Sequence, residues 1–241
     1  MGVARFARTM KNPTQIISLL QSRAGTFAPI MDHDLNAPDV TPLDFTSSNQ
    51  LLLSSNLRNT AEFEQMVQQM LQEKNATVGV GGYFENRDIY RRSEHFSGEE
   101  EARTIHLGVD IWAPAHIPLY ATLAGKVHSF QDNNNFGDYG PTIILEHELE
   151  GHTFYTLYGH LSRTSLQGKS VGQAVQAGEQ VATMGPYPEN GDWPPHVHFQ
   201  LMTDMLGKSG DFPGVCAPSE KAYYQNICLN PNLLLNSKHL Q

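Results

Sequence analysis

The chain is poor in the features that mark membrane, nucleic-acid and disulfide-stapled proteins. No apolar run approaches the roughly 18 residues of a spanning helix, so no helical membrane span is expected. Basic residues are the minority, 16 Lys and Arg against 25 Asp and Glu, with a formal net charge of -9. Nucleic-acid binding needs a basic surface to neutralise phosphates, so nucleic acid is excluded as the main partner. The only cysteines are Cys216 and Cys228. Two are too few for a disulfide framework, and their spacing lacks a CxxC pair for structural zinc. Free thiols are expected. The apolar cluster from Ile16 to Leu20 is too short and too polar-flanked for a signal-peptide core. Phe6 stands where a myristoylation motif needs Ser or Thr. No export signal is read, so the expected location is cytoplasmic, or reached by a non-standard route or after loss of a leader.

Nucleotide-loop patterns are also missing. Val78 to Gly82 is glycine-rich, but no GxxxxGK[ST] or helix-opening GxGxxG accompanies it, and there is no HExxH helix. What remains is 39% hydrophobic and 17% charged, with 20 Gly and 14 Pro, the composition of a loop-rich globular protein.

Three segments are read. Residues 1–77 form an N-terminal extension with one amphipathic helix over 59–73. Asn59 can cap it with Glu62 as capping-box partner, and Phe63, Met66, Val67, Met70 and Leu71 line one face. Residues 78–205 alternate short β-rich stretches with turns, among them Val109 to Trp112, Thr142 to Glu146, His152 to Tyr158 and His196 to Met202. Many short strands at this spacing predict a mainly β domain, an antiparallel sandwich or barrel-like assembly. Residues 206–241 form a loop-rich tail packing on that domain. Residues 81–96 read as an edge strand, with Arg87, Arg91 and Arg92 on a solvated or carboxylate-paired face.

Eleven histidines invite sorting. Those at 33, 95, 116, 128, 147 and 239 sit in no ligand-like spacing, and His152 follows a Glu-Gly turn. They read as surface or packing residues. His106 and Asp110 stand four apart with Gly108 between them, where the chain can bend both side chains to one point. His196 and His198 fall on the same face of a strand, because strand side chains alternate. Two histidines and one carboxylate leave one tetrahedral position open, the pattern of a catalytic rather than a structural zinc. His160 closes another strand and adds an imidazole.

In order, the chain reads HLGVD, APAHIPLYA, GKV, YGHLS, GQAVQAGEQVATMG and HVHFQ between residues 104 and 202. This series resembles the M23 family of zinc endopeptidases, the lysostaphin type. The resemblance implies zinc ligands at His106, Asp110 and His198, and two catalytic histidines that are not ligands, His160 and His196. It implies a zinc metalloendopeptidase acting on peptidoglycan cross-links or another peptide. Two departures from the family pattern bear on the substrate. Pro186 to Pro195 replaces the family's small-residue approach to the HxH pair, and Gln200 stands where members often have Glu. Tyr187, Trp193 and, in the polar loop 133–140, Asn135 are candidate substrate-groove residues. In some relatives an upstream segment blocks the metal, and Asn86 is the residue here that could serve as such a fourth ligand. Two other readings compete: a catalytically silent M23-like binding or regulatory module, and a carrier domain of the lipoyl kind. The second lacks a lysine at a hairpin tip.

Overall fold

A computed structural model describes residues 13–97 and 101–240. Phe6, and with it the myristoylation reading, lies outside the described residues. Among the described residues no helix is long and apolar enough to cross a membrane.

Among the described residues three helices precede residue 78, where the sequence suggested one. Helix α1 (Thr14–Ser22) buries Ile16 and Leu20. After strand β1 (Val40–Leu43) comes the short α2 (Gln50–Ser54), capped by Asn49. Neither α1 nor α2 carries a strong local signal: α1 has no side-chain cap and α2 is under two turns long. Helix α3 (Thr60–Glu73) starts at Asn59, whose side-chain oxygen accepts from the amides of Ala61 and Glu62 at 3.1 and 3.3 Å. Such a cap satisfies donors that the first turn otherwise leaves open. Its face of Phe63, Met66, Val67, Met70 and Leu71 is buried.

The rest is mainly β, as expected. Strands follow as β2 (Val78–Gly81), β3 (Ile105–His106), β4 (Val109–Trp112), β5 (Pro118–Tyr120), β6 (Gly125–Asn133), β7 (Gly140–Leu149) and β8 (His152–Gly159). Then come β9 (Ala174–Val175), β10 (Gln180–Thr183), β11 (His196–Met202), β12 (Val215–Cys216) and β13 (Cys228–Leu229). The main sheet runs β1-β2-β4-β11-β8-β7-β6-β9, with β13 also on β11. It is mixed, because β1 and β2 pair in parallel, and among the described residues it does not close into a barrel. Residues 81–96 are not an edge strand. Phe84 has a left-handed φ of 55°, and two 3-10 turns follow, Ile89–Arg92 and Glu94–Phe96.

Alternation on the two central strands decides where the chemistry sits. On β4, Val109 and Ile111 enter the main core; on β11, Val197, Phe199 and Leu201 do the same. Asp110 and Trp112, with His196, His198 and Gln200, therefore point to the opposite face. There α3 packs through Phe63 against Trp112 and Trp193. The antiparallel register sets His198 opposite Asp110 and His196 opposite Trp112. Both thiols, Cys216 and Cys228, are free and buried.

Candidate metal centre

His106, Asp110 and His198 converge. Their nearest ligand atoms all lie within 4.8 Å of one another, and all three residues are buried. His106 Nε2 is 2.9 Å from His198 Nδ1 and 3.3 Å from Asp110 Oδ1, and His198 Nδ1 is 3.1 Å from that same oxygen. Tetrahedral zinc, with bonds of about 2.0–2.1 Å, places its ligand atoms roughly 3.3 Å apart. Gly108 makes the approach possible: a Cβ there would stand 2.7 Å from the His198 ring.

The outer nitrogens fix the tautomers. His106 Nδ1 donates to the Gly82 carbonyl at 3.0 Å. His198 Nε2 donates to Gln200 Oε1 at 2.8 Å. Gln200 is oriented in turn, its amide nitrogen donating to the Pro213 carbonyl and to Cys228 Sγ, each at 3.2 Å. Each histidine thus turns a lone pair inward, the arrangement that orients ligating imidazoles. Burial, with Arg87 beside it, pushes His106 down to about 3, so neutral imidazole is the form present near neutrality. Burial would raise Asp110, but the Arg87 guanidinium beside it outweighs that and holds the carboxyl well below its usual range. Two ring nitrogens and a carboxylate oxygen therefore meet at one point, a donor set that fits a metal ion.

His160 and His196 lie beside this cluster with ring centroids 4.1 Å apart. His160 Nδ1 donates to the Asn190 carbonyl and His196 Nδ1 to the Pro194 carbonyl, both at 2.8 Å. The Nε2 atom of each ring is left as the acceptor, and that of His196 is 4.0 Å from Asp110 Oδ1. His160 holds a left-handed φ of 61° between two backbone hydrogen bonds, its amide to Tyr139 and its carbonyl from Gly185. Burial lowers both pKa values, His196 to about 4, and His160 falls well below its ordinary value, with His196 adding to the burial effect. Both rings are neutral bases near pH 7.

A cavity of about 170 Å³ is lined by Asp110, His160, His196 and His198, and reaches solvent past exposed His95 and Lys208. Trp193 lines it too, but its ring is buried between Phe63, Tyr90 and Phe96 and its indole donates to the Asp138 carbonyl at 3.2 Å. Tyr187 is exposed and does not line the cavity. Asn135 is exposed as well, donating to Asp138 Oδ2 at 3.2 Å, while its neighbours Gly137 to Tyr139 form the wall. The reading of Asn86 as a fourth ligand fails, for its side chain is exposed and its backbone bridges Ile105.

Several neighbours of the site carry no motif. Trp112 stacks on His196, Gly82 accepts from His106, and Arg87 donates to Asp110. Arg92 is buried over Trp193 and Phe63. Of the three arginines in that stretch only Arg91 is exposed, pairing with Asp88 at 2.7 Å. Gln200, two residues from His198 on the same strand face, is the neighbour that the HVHFQ motif itself carries.

Residues 104–209 match the model of Peptidase family M23. An uncharacterized lipoprotein of Escherichia coli K12, YgeR, is 40% identical over 78 residues, 32% of this chain and 28% of that protein. A zinc containing peptidase from Vibrio cholerae shares 28% identity across 41% of this chain and 27% of its own, with a TM-score of 0.34. The catalytic domain of lysostaphin from Staphylococcus simulans shares 26% identity across 51% of this chain and 80% of its own, at 0.35. The chain thus spans little more than a quarter of the length of the first two relatives.

Proposed function

We propose that residues 104–209, a domain of peptidase family M23, act with the flanking segments as a zinc-dependent metalloendopeptidase. One observation carries this reading: two inward lone pairs and a carboxylate oxygen meet beside two neutral imidazoles, at the wall of a solvent-reaching cavity. His106 Nε2, Asp110 Oδ1 and His198 Nδ1 would hold the ion. Zinc bound there supplies a Lewis acid for the scissile carbonyl and for the attacking water.

The chain's own groups supply the proton transfers. His196 Nε2 faces the cluster and accepts the proton of the attacking water; the Pro194 carbonyl holds its tautomer and Trp112 its plane. His160 Nε2 stands beside it to orient water or, once protonated, to donate to the oxygen on which charge develops. The substrate class that fits the family is the peptide cross-link of peptidoglycan, and a non-wall peptide is the alternative. Incubation of the zinc-loaded full chain with purified peptidoglycan and with a mixed peptide library, beside His196→Ala, tests both. Release of cross-link fragments supports the first and cleavage in the library alone supports the second. No cleavage of either, or equal cleavage by the variant, defeats the enzyme reading.

A further inference from the structure

One charged side chain reaches the metal centre from outside the segment that matches the family. Arg87 lies between β2 and the first 3-10 turn, and its side chain is fully buried. Its Nε donates to Glu85 Oε2 at 2.7 Å and its Nη1 donates to Asp110 Oδ2. The two carboxylate oxygens of Asp110 thereby have separate partners. Oδ2 is taken by the guanidinium, and Oδ1 faces His106 and His198. A carboxylate with both oxygens free can chelate an ion through two atoms or exchange one for the other. With Oδ2 held, it offers a single atom in a single direction.

The position is costly to fill with a cation. A buried guanidinium needs good pairing to offset its desolvation, and Arg87 Nη2 has no hydrogen-bond partner. The space exists because position 81 is glycine, where a Cβ would stand 2.5 Å from Nη2. A leucine or methionine would pack this spot without that cost, so the charge at Asp110 is the feature to explain.

We propose that Arg87 is a positioning residue of the metal centre, fixing Asp110 as a one-oxygen ligand through Oδ1. The proposal rests on the metal reading above. It differs from a structural role in which Arg87 anchors the loop by way of Glu85.

The test uses the full chain, zinc affinity by competition with a chromophoric chelator, and the visible spectrum of the cobalt(II)-substituted protein, which responds to coordination number. R87M is expected to bind zinc about 10–100-fold more weakly, the usual effect of removing an outer-sphere partner. Its cobalt bands should weaken as Asp110 becomes free to chelate. R87K should recover part of the affinity, since an ammonium lacks the fork that spans both carboxylates. E85Q releases the loop end of Arg87 while keeping the contact to Asp110, and should stay close to wild-type affinity. R87M with wild-type affinity and spectrum, or E85Q as impaired as R87M, overturns the proposal. Where R87M does not fold, R87K decides: weaker zinc binding with an altered cobalt spectrum supports it, and wild-type values in both overturn it. A wild-type protein that takes up neither metal sinks the metal reading itself, a separate outcome.

Discussion

The indole of Trp112 lies flat on the imidazole of His196, with centroids 4.0 Å apart and planes 15° from parallel. The same indole touches Phe45 and Phe63 on its other sides. Residues well upstream of residue 104 therefore set the plane of an imidazole proposed to move protons. Trp112→Leu keeps apolar bulk and removes the stack. It should cost about 2–4 kcal/mol in urea unfolding, as other large-to-smaller core changes do, and lower kcat more than it weakens zinc binding. Trp112→Phe should recover much of both. Unchanged kcat in a folded Trp112→Leu protein would count against the role given to the stack.

His106→Ala, Asp110→Ala and His198→Ala should each bring zinc content from one ion per chain to near none, measured by metal analysis after dialysis. Stripping the wild type with a chelator should lower its melting temperature. An ion present at a thousand times its Kd adds about 4 kcal/mol, which for a chain of this size is on the order of 10 °C. Superimposable calorimetric traces with and without chelator would end the metal assignment.

His160→Gln and His196→Gln should separate binding from chemistry. Neither ring belongs to the three-atom cluster, so both variants should retain zinc. Loss of a positioned general acid or base costs roughly 10²–10⁴-fold in rate. A variant that kept its zinc and more than half of its activity would remove that histidine from the mechanism.

His147 gives a pH prediction away from the site. It is buried on β7; Nδ1 donates to the Ala124 carbonyl at 2.9 Å, and Nε2 lies 2.8 Å from the Thr156 hydroxyl. Burial lowers its folded pKa below the ordinary 6.5. The unfolded chain then binds more protons than the folded one below 6.5, so this contribution is complete above that pH and is lost as pH falls toward the folded value. Between pH 7.5 and 5 the urea midpoint of the wild type should fall further than that of His147→Gln. Parallel curves would refute it.

The legible part of this molecule is what periodicity can carry. The order His-Val-His-Phe-Gln on β11 fixes one polar and one apolar face, and the structure places them so. The pair His106 and Asp110 is legible because four residues and a glycine separate them. Arg87 was not, because no period links it to Asp110, 23 residues on. Residues 81–96 misled: they read as an edge strand, yet the left-handed Phe84 and the 3-10 turns break the run. Trp193 stands out in sequence as an aromatic by a candidate groove, but packing among Phe63, Tyr90 and Phe96 is a property of distant segments meeting.

Strand β11 lies between β4 and β8 in the sheet, though both are synthesised before it. Until residue 202 leaves the ribosome, β4 and β8 have open edges facing each other across a missing strand. Unpaired strand edges invite pairing with other chains, and long-range pairing is slow to form. Insertion of β11 closes both edges and brings His198 to His106, 92 residues away. The capacity to bind an ion thus arrives in the same event that joins the two halves of the sheet, ahead of the later pairing of β13 on β11, which makes metal uptake by the nascent protein a clock for that insertion.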